Sequence, residues 1–222
     1  MLEFFKKLRI FFGIMAVISI ICIVLFYQAL KPKKTLPIYN PADVNPEMVD
    51  STVQYVQKYH TIADFSFINQ NGKTITQKDY EGKIYVADFF FTTCGSICPI
   101  MTRNMVDVQK AFLKNPKVMI LSHTVMPDVD SVPVLKKYAL EKGVVDAKWN
   151  LVTGDKKDIY SMARKSYLAV KLGKPSELYD MVHTENFILV DAKRRVRGFY
   201  DGTKKEEIQR LIDDINWLCT EE

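Results

Sequence analysis

The chain has 222 residues, of which 48% are apolar, and its formal net charge at pH 7 is +5. This length suits one domain of about 150–190 residues with a real core, plus an appendage. Residues 1–30 carry a net charge of +2, so the other 192 residues hold only +3, too small an excess to indicate a nucleic-acid partner. Four cysteines are too few for a fold that depends on a disulfide framework.

The first predicted element is an N-terminal transmembrane helix within residues 1–30. Residues 10–27 contain one polar side chain, Ser19, and no charge. At about 1.5 Å per residue, this run spans most of a hydrocarbon core of about 30 Å, and residues 28–30 extend it. A cleaved signal peptide is the competing interpretation, but no small-x-small cleavage site follows the run. Lysines flank the run on both sides, so the positive-inside rule leaves its orientation open.

Residues 31–59 are predicted to form an extended tether between this anchor and a folded domain at residues 60–222. Four prolines occur in the first part of the tether, at positions 32, 37, 41 and 46, in a mostly polar background. Prolines at such spacing favour a semi-rigid, extended chain that would hold the domain off the membrane.

Within the domain, apolar periodicity predicts a hairpin, three strand–helix units, a second hairpin and a last helix. The predicted hairpins are residues 63–75 and 186–200, the strands are 84–91, 118–121 and 149–152, and the helices follow Pro99, Ser131, Asp155 and Lys204. Right-handed crossovers fold this order into a central mixed sheet flanked by helices. In such a sheet, ligands bind outside the carboxyl ends of the strands. The long loop 169–185, which contains His183, is expected to reach that edge.

Cys94 and Cys98 stand where the first of these strands passes into its helix. Free N–H groups and the helix dipole favour a thiolate there, and the four-residue separation places both side chains on one helical face. With His183, two thiolates would form a soft three-ligand set suited to Cu(I) or Cu(II), whereas structural zinc would need a fourth ligand. A redox-active pair has similar sequence features, and a structural disulfide or two inert core thiols are further possibilities. The residues by themselves leave these alternatives open.

The motifs around these residues resemble those of the Sco/SenC family. They are Asp88-Phe-Phe-Phe-Thr-Thr-Cys94-x-x-x-Cys98-Pro99, then Pro127-Asp128-x-Asp130-Ser131 followed by Val134-Leu-Lys-Lys-Tyr-Ala139, then His183-Thr-Glu-Asn-Phe-Ile-Leu-Val-Asp191. The resemblance covers residues 60–220 and implies a thioredoxin-like three-layer fold. It also implies a single-pass protein of the inner (cytoplasmic) membrane, with its soluble domain on the extracytoplasmic, periplasmic side.

The same resemblance implies a ligand set and a partner. Cys94, Cys98 and His183 would bind copper for assembly of the copper centre of cytochrome c oxidase. The expected partner is the copper-receiving subunit of that oxidase.

The chain departs from the family pattern at two positions. Gly95 stands where many relatives have proline, which loosens the loop but touches no ligand atom. Met126 replaces the acidic residue that opens the family's Asp-Pro-Glu-Arg-Asp loop, and His123 lies three positions before it. We therefore hypothesise an auxiliary copper contact from Met126 or His123, with plain packing of the methionine and a solvated histidine as the alternatives. Cys219, at the end of the last predicted helix, is expected to be packed or half-exposed.

Two functions remain after these arguments. The first is a membrane-anchored copper metallochaperone, in which the thiolates of Cys94 and Cys98 capture copper and His183 closes over it. The second is a membrane-tethered thiol–disulfide oxidoreductase, in which Cys94 attacks and Cys98 resolves. The Cys-x-x-x-Cys spacing differs from the Cys-x-x-Cys of general disulfide exchangers, which favours the chaperone. The two roles are compatible, so the sequence leaves an additional enzymatic activity open.

Overall fold

The computed structural model describes residues 2–30, 35–169 and 185–221, and its contacts divide the chain into two units, Met1–Thr35 and Leu36–Glu222. In the first unit, helix α1 spans Leu2–Leu30, and the side chains of residues 11–27 are exposed. Among the described residues, no helical stretch has both the length and the hydropathy that crossing a membrane requires. The helical conformation of the segment is confirmed, whereas its insertion into a membrane stays a prediction.

The described part of the second unit contains seven strands and four α-helices, in the predicted order. The strands are β1 (Ser66–Asn69), β2 (Thr74–Thr76), β3 (Ile84–Phe90), β4 (Val118–Thr124), β5 (Trp149–Thr153), β6 (Asn186–Val190) and β7 (Val196–Asp201). The helices are α2 (Cys98–Ala111), α3 (Val132–Lys142), α4 (Lys156–Ser161) and α5 (Lys205–Glu221). The α-helical part of the helix predicted to follow Asp155 ends at Ser161, and the chain continues as a π-helical turn, Met162–Ser166.

The strands form one mixed sheet in the order β2-β1-β5-β4-β3-β6-β7. Strands β5, β4 and β3 are parallel, and the two hairpins add antiparallel pairs at the edges. The predicted central mixed sheet is therefore confirmed. All seven residues of β3 are buried, as expected for an inner strand covered on both faces, and its sequence is accordingly an almost unbroken apolar run.

Alternate residues of β3 enter two separate cores. Val86 and Phe90 pack in the first core, which contains both predicted site cysteines and apolar residues of α2, α3 and α5. Ala87 and Phe89 pack in the second core, with residues of α4 and the π-helical turn. Successive side chains of a strand point to opposite faces of the sheet. A sheet residue can therefore approach the cysteines only if its side chain lies on the face that packs in the first core.

The segment after residue 35 is attached to the sheet edge. The backbone N–H of Tyr39 donates to the carbonyl of Val196 at 2.9 Å. The guanidinium of Arg197, 5% exposed, donates to the carbonyls of Leu36 and Pro37 at 2.8 and 3.0 Å. Residues from Leu36 onward belong to the second unit, and β7 supplies partners for the backbone groups of residues 36–39.

Candidate metal centre

The loop of residues 91–97 joins β3 to α2 and carries Cys94, while Cys98 opens α2. The N–H of Cys94 donates to the carbonyl of Phe91 at 3.3 Å. Pro99 occupies the first turn of α2, where its missing N–H would have had no helical partner. Cys94 is 8% exposed and Cys98 1% exposed, and both thiols are free. The structure thus brings together the two predicted cysteines at the N-terminus of α2.

The two thiols differ in their electrostatic environment. The backbone N–H of Cys98 lies 3.5 Å from Cys94 Sγ, and the hydroxyl of Ser96 lies 3.7 Å from the same sulfur. Burial raises the pKa of Cys94, but hydrogen bonds from Cys98 and Ser96 together outweigh it and hold the pKa below its ordinary value. Burial, helped by the hydrogen bond between the two thiols, raises the pKa of Cys98 to about 12. Of the two thiols, Cys94 therefore forms a thiolate more readily.

Asp88 is a buried carboxyl group in the middle of β3, 3% exposed. It accepts a short hydrogen bond from the Ser122 hydroxyl, which in turn accepts one from Trp149 Nε1 at 2.8 Å. Burial raises the pKa of Asp88 to about 7. When ionised, Asp88 adds a small contribution to the high pKa of Cys98, so the carboxyl is electrostatically coupled to the site. Sequence reasoning gave this residue no role, although a lone charge within an apolar strand was a visible signal.

The hypothesis that His123 contacts copper is wrong. Its side chain is fully buried in the second core, where its ring stacks on Phe89. Because β4 alternates like β3, His123 faces away from the first core, in which the cysteines lie. Met126 packs against the second core as a half-buried side chain, which favours the alternative of plain packing.

The third predicted ligand, His183, lies outside the described residues, as do all of residues 170–184. Within the described ranges, no group of three His, Cys, Asp or Glu side chains could hold a metal ion. The donor chemistry of Cys94 and Cys98 nevertheless fits a soft metal ion, because thiolate sulfur prefers Cu(I) and the lowered pKa of Cys94 favours its thiolate.

Cys219 lies on α5, away from the paired thiols. Its side chain is partly exposed, and Asn115 Nδ2 lies 3.5 Å from its sulfur. This position agrees with the expectation of a packed or half-exposed residue.

A mixed sheet flanked by helices, with a cysteine pair where an inner strand meets its helix, defines a thioredoxin-like protein with reactive thiols or a soft-metal site. The SCO1/SenC family model matches residues 53–220, and the chain belongs to this family. The predicted family resemblance is therefore confirmed.

Individual relatives agree with this assignment. The chain is 33% identical to the SCO1 protein homolog of Bacillus subtilis over 163 residues, which are 72% of this chain and 84% of the relative. The solved structure of BsSco is 32% identical, with a TM-score of 0.64 covering 73% of this chain and 95% of that one. BsSco is described as a member of the Sco family of cytochrome c oxidase assembly proteins that contains a disulfide switch. Arabidopsis thaliana ScoI, solved with copper bound, is 26% identical, with a TM-score of 0.58 covering 72% of this chain and 98% of that one.

Proposed function

We propose that this protein is a copper metallochaperone that assists assembly of the copper centre of a cytochrome c oxidase. The observation that carries the proposal is the contact of Cys94 Sγ with the Cys98 N–H, 3.5 Å apart, which places two sulfurs within one turn at a helix start. The copper-bound ScoI relative and the assembly role stated for BsSco support the same conclusion for this chain.

Copper is the cargo of this site, and the proposed ligands are Cys94, Cys98 and His183. The two sulfurs provide the soft ligands that Cu(I) prefers, and an imidazole would allow Cu(II) as well. Cys98 is almost inaccessible, whereas Cys94 lies on a loop whose residues Thr93, Gly95 and Ser96 are exposed. A receiving protein would therefore approach copper from the Cys94 side and replace the ligands one at a time.

We further propose that residues 10–30 anchor the protein in the cytoplasmic membrane, with the domain on the extracytoplasmic side. The support is the uncharged run at residues 10–27. The copper-receiving subunit of a membrane-bound oxidase would then be reached from the same membrane surface.

The second candidate function is reduction of a partner disulfide, and the unequal pKa values of the two thiols favour it specifically. The Cys94 thiolate would attack the partner disulfide, form a mixed disulfide and release one partner thiolate. The Cys98 thiol, after losing its proton, would then displace the second partner thiolate, leaving a Cys94–Cys98 disulfide and a partner dithiol. The two electrons come from the pair itself, and an external reductant must restore it.

The deciding experiment is copper binding by the full-length chain in detergent, fully reduced and without oxygen, against a competing chelator. Wild type should hold one copper ion, and Cys94→Ser, Cys98→Ser and His183→Ala should each weaken binding by about 10-fold or more, which is about 1.4 kcal/mol. Cys219→Ser serves as the matched control and should bind like wild type. Weak binding by wild type, together with rapid exchange of its disulfide with a protein dithiol, would favour the reductase instead.

A further inference from the structure

Asp130 is a fully buried carboxylate two residues before α3, at 0% exposure. It accepts hydrogen bonds from the Thr92 N–H at 3.1 Å and from the Thr92 hydroxyl at 2.5 Å. It also accepts a short hydrogen bond from the Thr124 hydroxyl at the end of β4. A buried carboxylate needs several donors to be tolerated, and these three come from two different segments.

The Thr92 bonds fasten the loop that carries Cys94. Thr92 is two residues before Cys94, and the residues that follow it, including Gly95, are largely exposed. A glycine next to the cysteine adds conformational freedom to this loop. The attachment to Asp130 therefore restricts the loop at its start, just before the sulfur that must meet the Cys98 N–H.

The pair Asp201 and Thr203 provides a comparison in which the same kind of hydrogen bond is purely local. Asp201 accepts hydrogen bonds from the N–H and hydroxyl of Thr203, two residues away, at 2.9 and 2.5 Å. That pair closes a turn at the end of β7. The Asp130–Thr92 pair has the same chemistry, but it joins residues 38 positions apart and ends at the cysteine loop.

We propose that Asp130 is a positioning residue for the cysteine pair: through Thr92 it holds the loop so that Cys94 stays over the start of α2. Without this attachment, Cys94 loses part of the hydrogen bonding that favours its reduced form. The released loop also reaches Cys98 more freely, which favours the disulfide. Both effects shift the pair in the same direction, toward oxidation. For copper, the inference rests on the proposed function, whereas its thiol part stands independently.

The test compares Thr92→Val, which removes the hydroxyl donor, with Thr92→Ser, which keeps it, in the full-length chain in detergent. Thr203→Val, which breaks the matched local bond, is the control, and Thr124→Val is the second variant if Thr92→Val does not fold. The first measurement is the equilibrium between the Cys94–Cys98 disulfide and dithiothreitol, which is oxidised as the disulfide is reduced. The second is Cu(I) affinity against a chelator.

Thr92→Val should lower the equilibrium constant for reduction by about 10-fold, about 30 mV for two electrons, and should weaken Cu(I) binding by a similar factor. Thr92→Ser and Thr203→Val should stay within about twofold of wild type in both measurements. Equal values for Thr92→Val and wild type, or an equal shift in Thr203→Val, would overturn the inference. If wild type binds no copper while Thr92→Val still shifts the dithiol equilibrium, the proposed function fails and the positioning role of Asp130 stands.

Discussion

The imidazole of His123 stacks on the ring of Phe89, with 5.0 Å between the ring centroids and 22° between the planes. Phe67 and Tyr167 pack edge-on against the same imidazole, with centroids at 5.5 and 5.2 Å. Within the described residues, neither ring nitrogen has a hydrogen-bond partner. Burial lowers the pKa of His123 to about 3, and the nearby backbone of Asp88 opposes this only weakly. The folded protein therefore holds this histidine neutral.

Acid should destabilise the protein through His123. The unfolded chain binds a proton at its ordinary pKa of about 6.5, whereas the folded chain binds one only near the lowered value. The free energy of unfolding should therefore fall as pH falls below about 6.5, by up to about 1.4 kcal/mol per pH unit. His123→Phe keeps an aromatic ring and removes the titration, so its unfolding free energy should fall less. Urea unfolding between pH 4 and pH 8 measures the difference. Parallel curves for wild type and His123→Phe across pH 4–6 would show that His123 is not held neutral.

Asp88 should change the free energy of unfolding in the opposite direction to His123 over nearly the same pH range. Its folded pKa of about 7 lies above the ordinary value of about 3.9, so the folded chain keeps a proton that the unfolded chain has lost. This contribution to stability is complete below about pH 4 and disappears as pH rises through 7. Asp88→Asn removes the titration and keeps an acceptor for Ser122. Its unfolding free energy should therefore rise with pH between 4 and 7 more steeply than that of wild type.

In wild type, His123 and Asp88 change the pH dependence of stability in opposite directions. The double variant therefore tests whether both groups contribute. His123→Phe combined with Asp88→Asn should show a flatter dependence on pH than either single variant. If the unfolding free energy of the double variant depended on pH as steeply as that of the steeper single variant, the two groups would not have opposite effects.

The order of strands and helices was predictable because each element repeats its apolar residues with its own period. The junction that carries Cys94 was predictable for a related reason: an inner strand reads as a continuous apolar run, and Pro99 marks a helix start. The face of the sheet on which His123 lies was not predictable in this way. Because the side chains of β4 alternate between the two faces of the sheet, Ser122 and His123 lie on opposite faces. Only the packing of α2 shows which of these faces carries the cysteines.

The role of Asp130 was similarly hidden, because hydrogen bonds across 38 residues leave no local pattern. A polar residue before a helix is usually a cap or a solvated side chain. The sequence motif that contains Asp130 identifies the family, but the partner Thr92 becomes evident only when the loop after β4 is seen against the loop after β3. The attachment of residues 36–39 to the sheet edge was hidden for the same physical reason, because their partners Val196 and Arg197 in β7 lie far away in sequence.

Gly95 can be replaced more safely than its position in the site suggests. A Cβ there would meet no atom within 4 Å, and the residue has no left-handed backbone conformation. Gly95→Ala should stabilise the protein by about 0.4–1 kcal/mol, because the unfolded chain loses freedom. Gly143, with equal space but a φ of +72°, is the matched control, and Gly143→Ala should destabilise by about 1 kcal/mol. Thermal unfolding measures both, and a loss of copper affinity in Gly95→Ala would show that the metal-bound loop needs the freedom of glycine.

The unequal thiols predict which cysteine reacts first with an alkylating agent. The reduced chain is treated with iodoacetamide at pH 7 in a Cys22→Ser, Cys219→Ser background, and the labelled peptides are quantified by mass spectrometry. Cys94 should react at least about 10-fold faster than Cys98, because its pKa is lowered while burial keeps Cys98 protonated. Ser96→Ala removes one hydrogen bond to Cys94 and should slow its labelling. In the control, unfolding the chain in guanidinium should make the labelling rates of the two cysteines similar. Equal labelling rates in the folded chain would mean that the start of α2 does not activate Cys94.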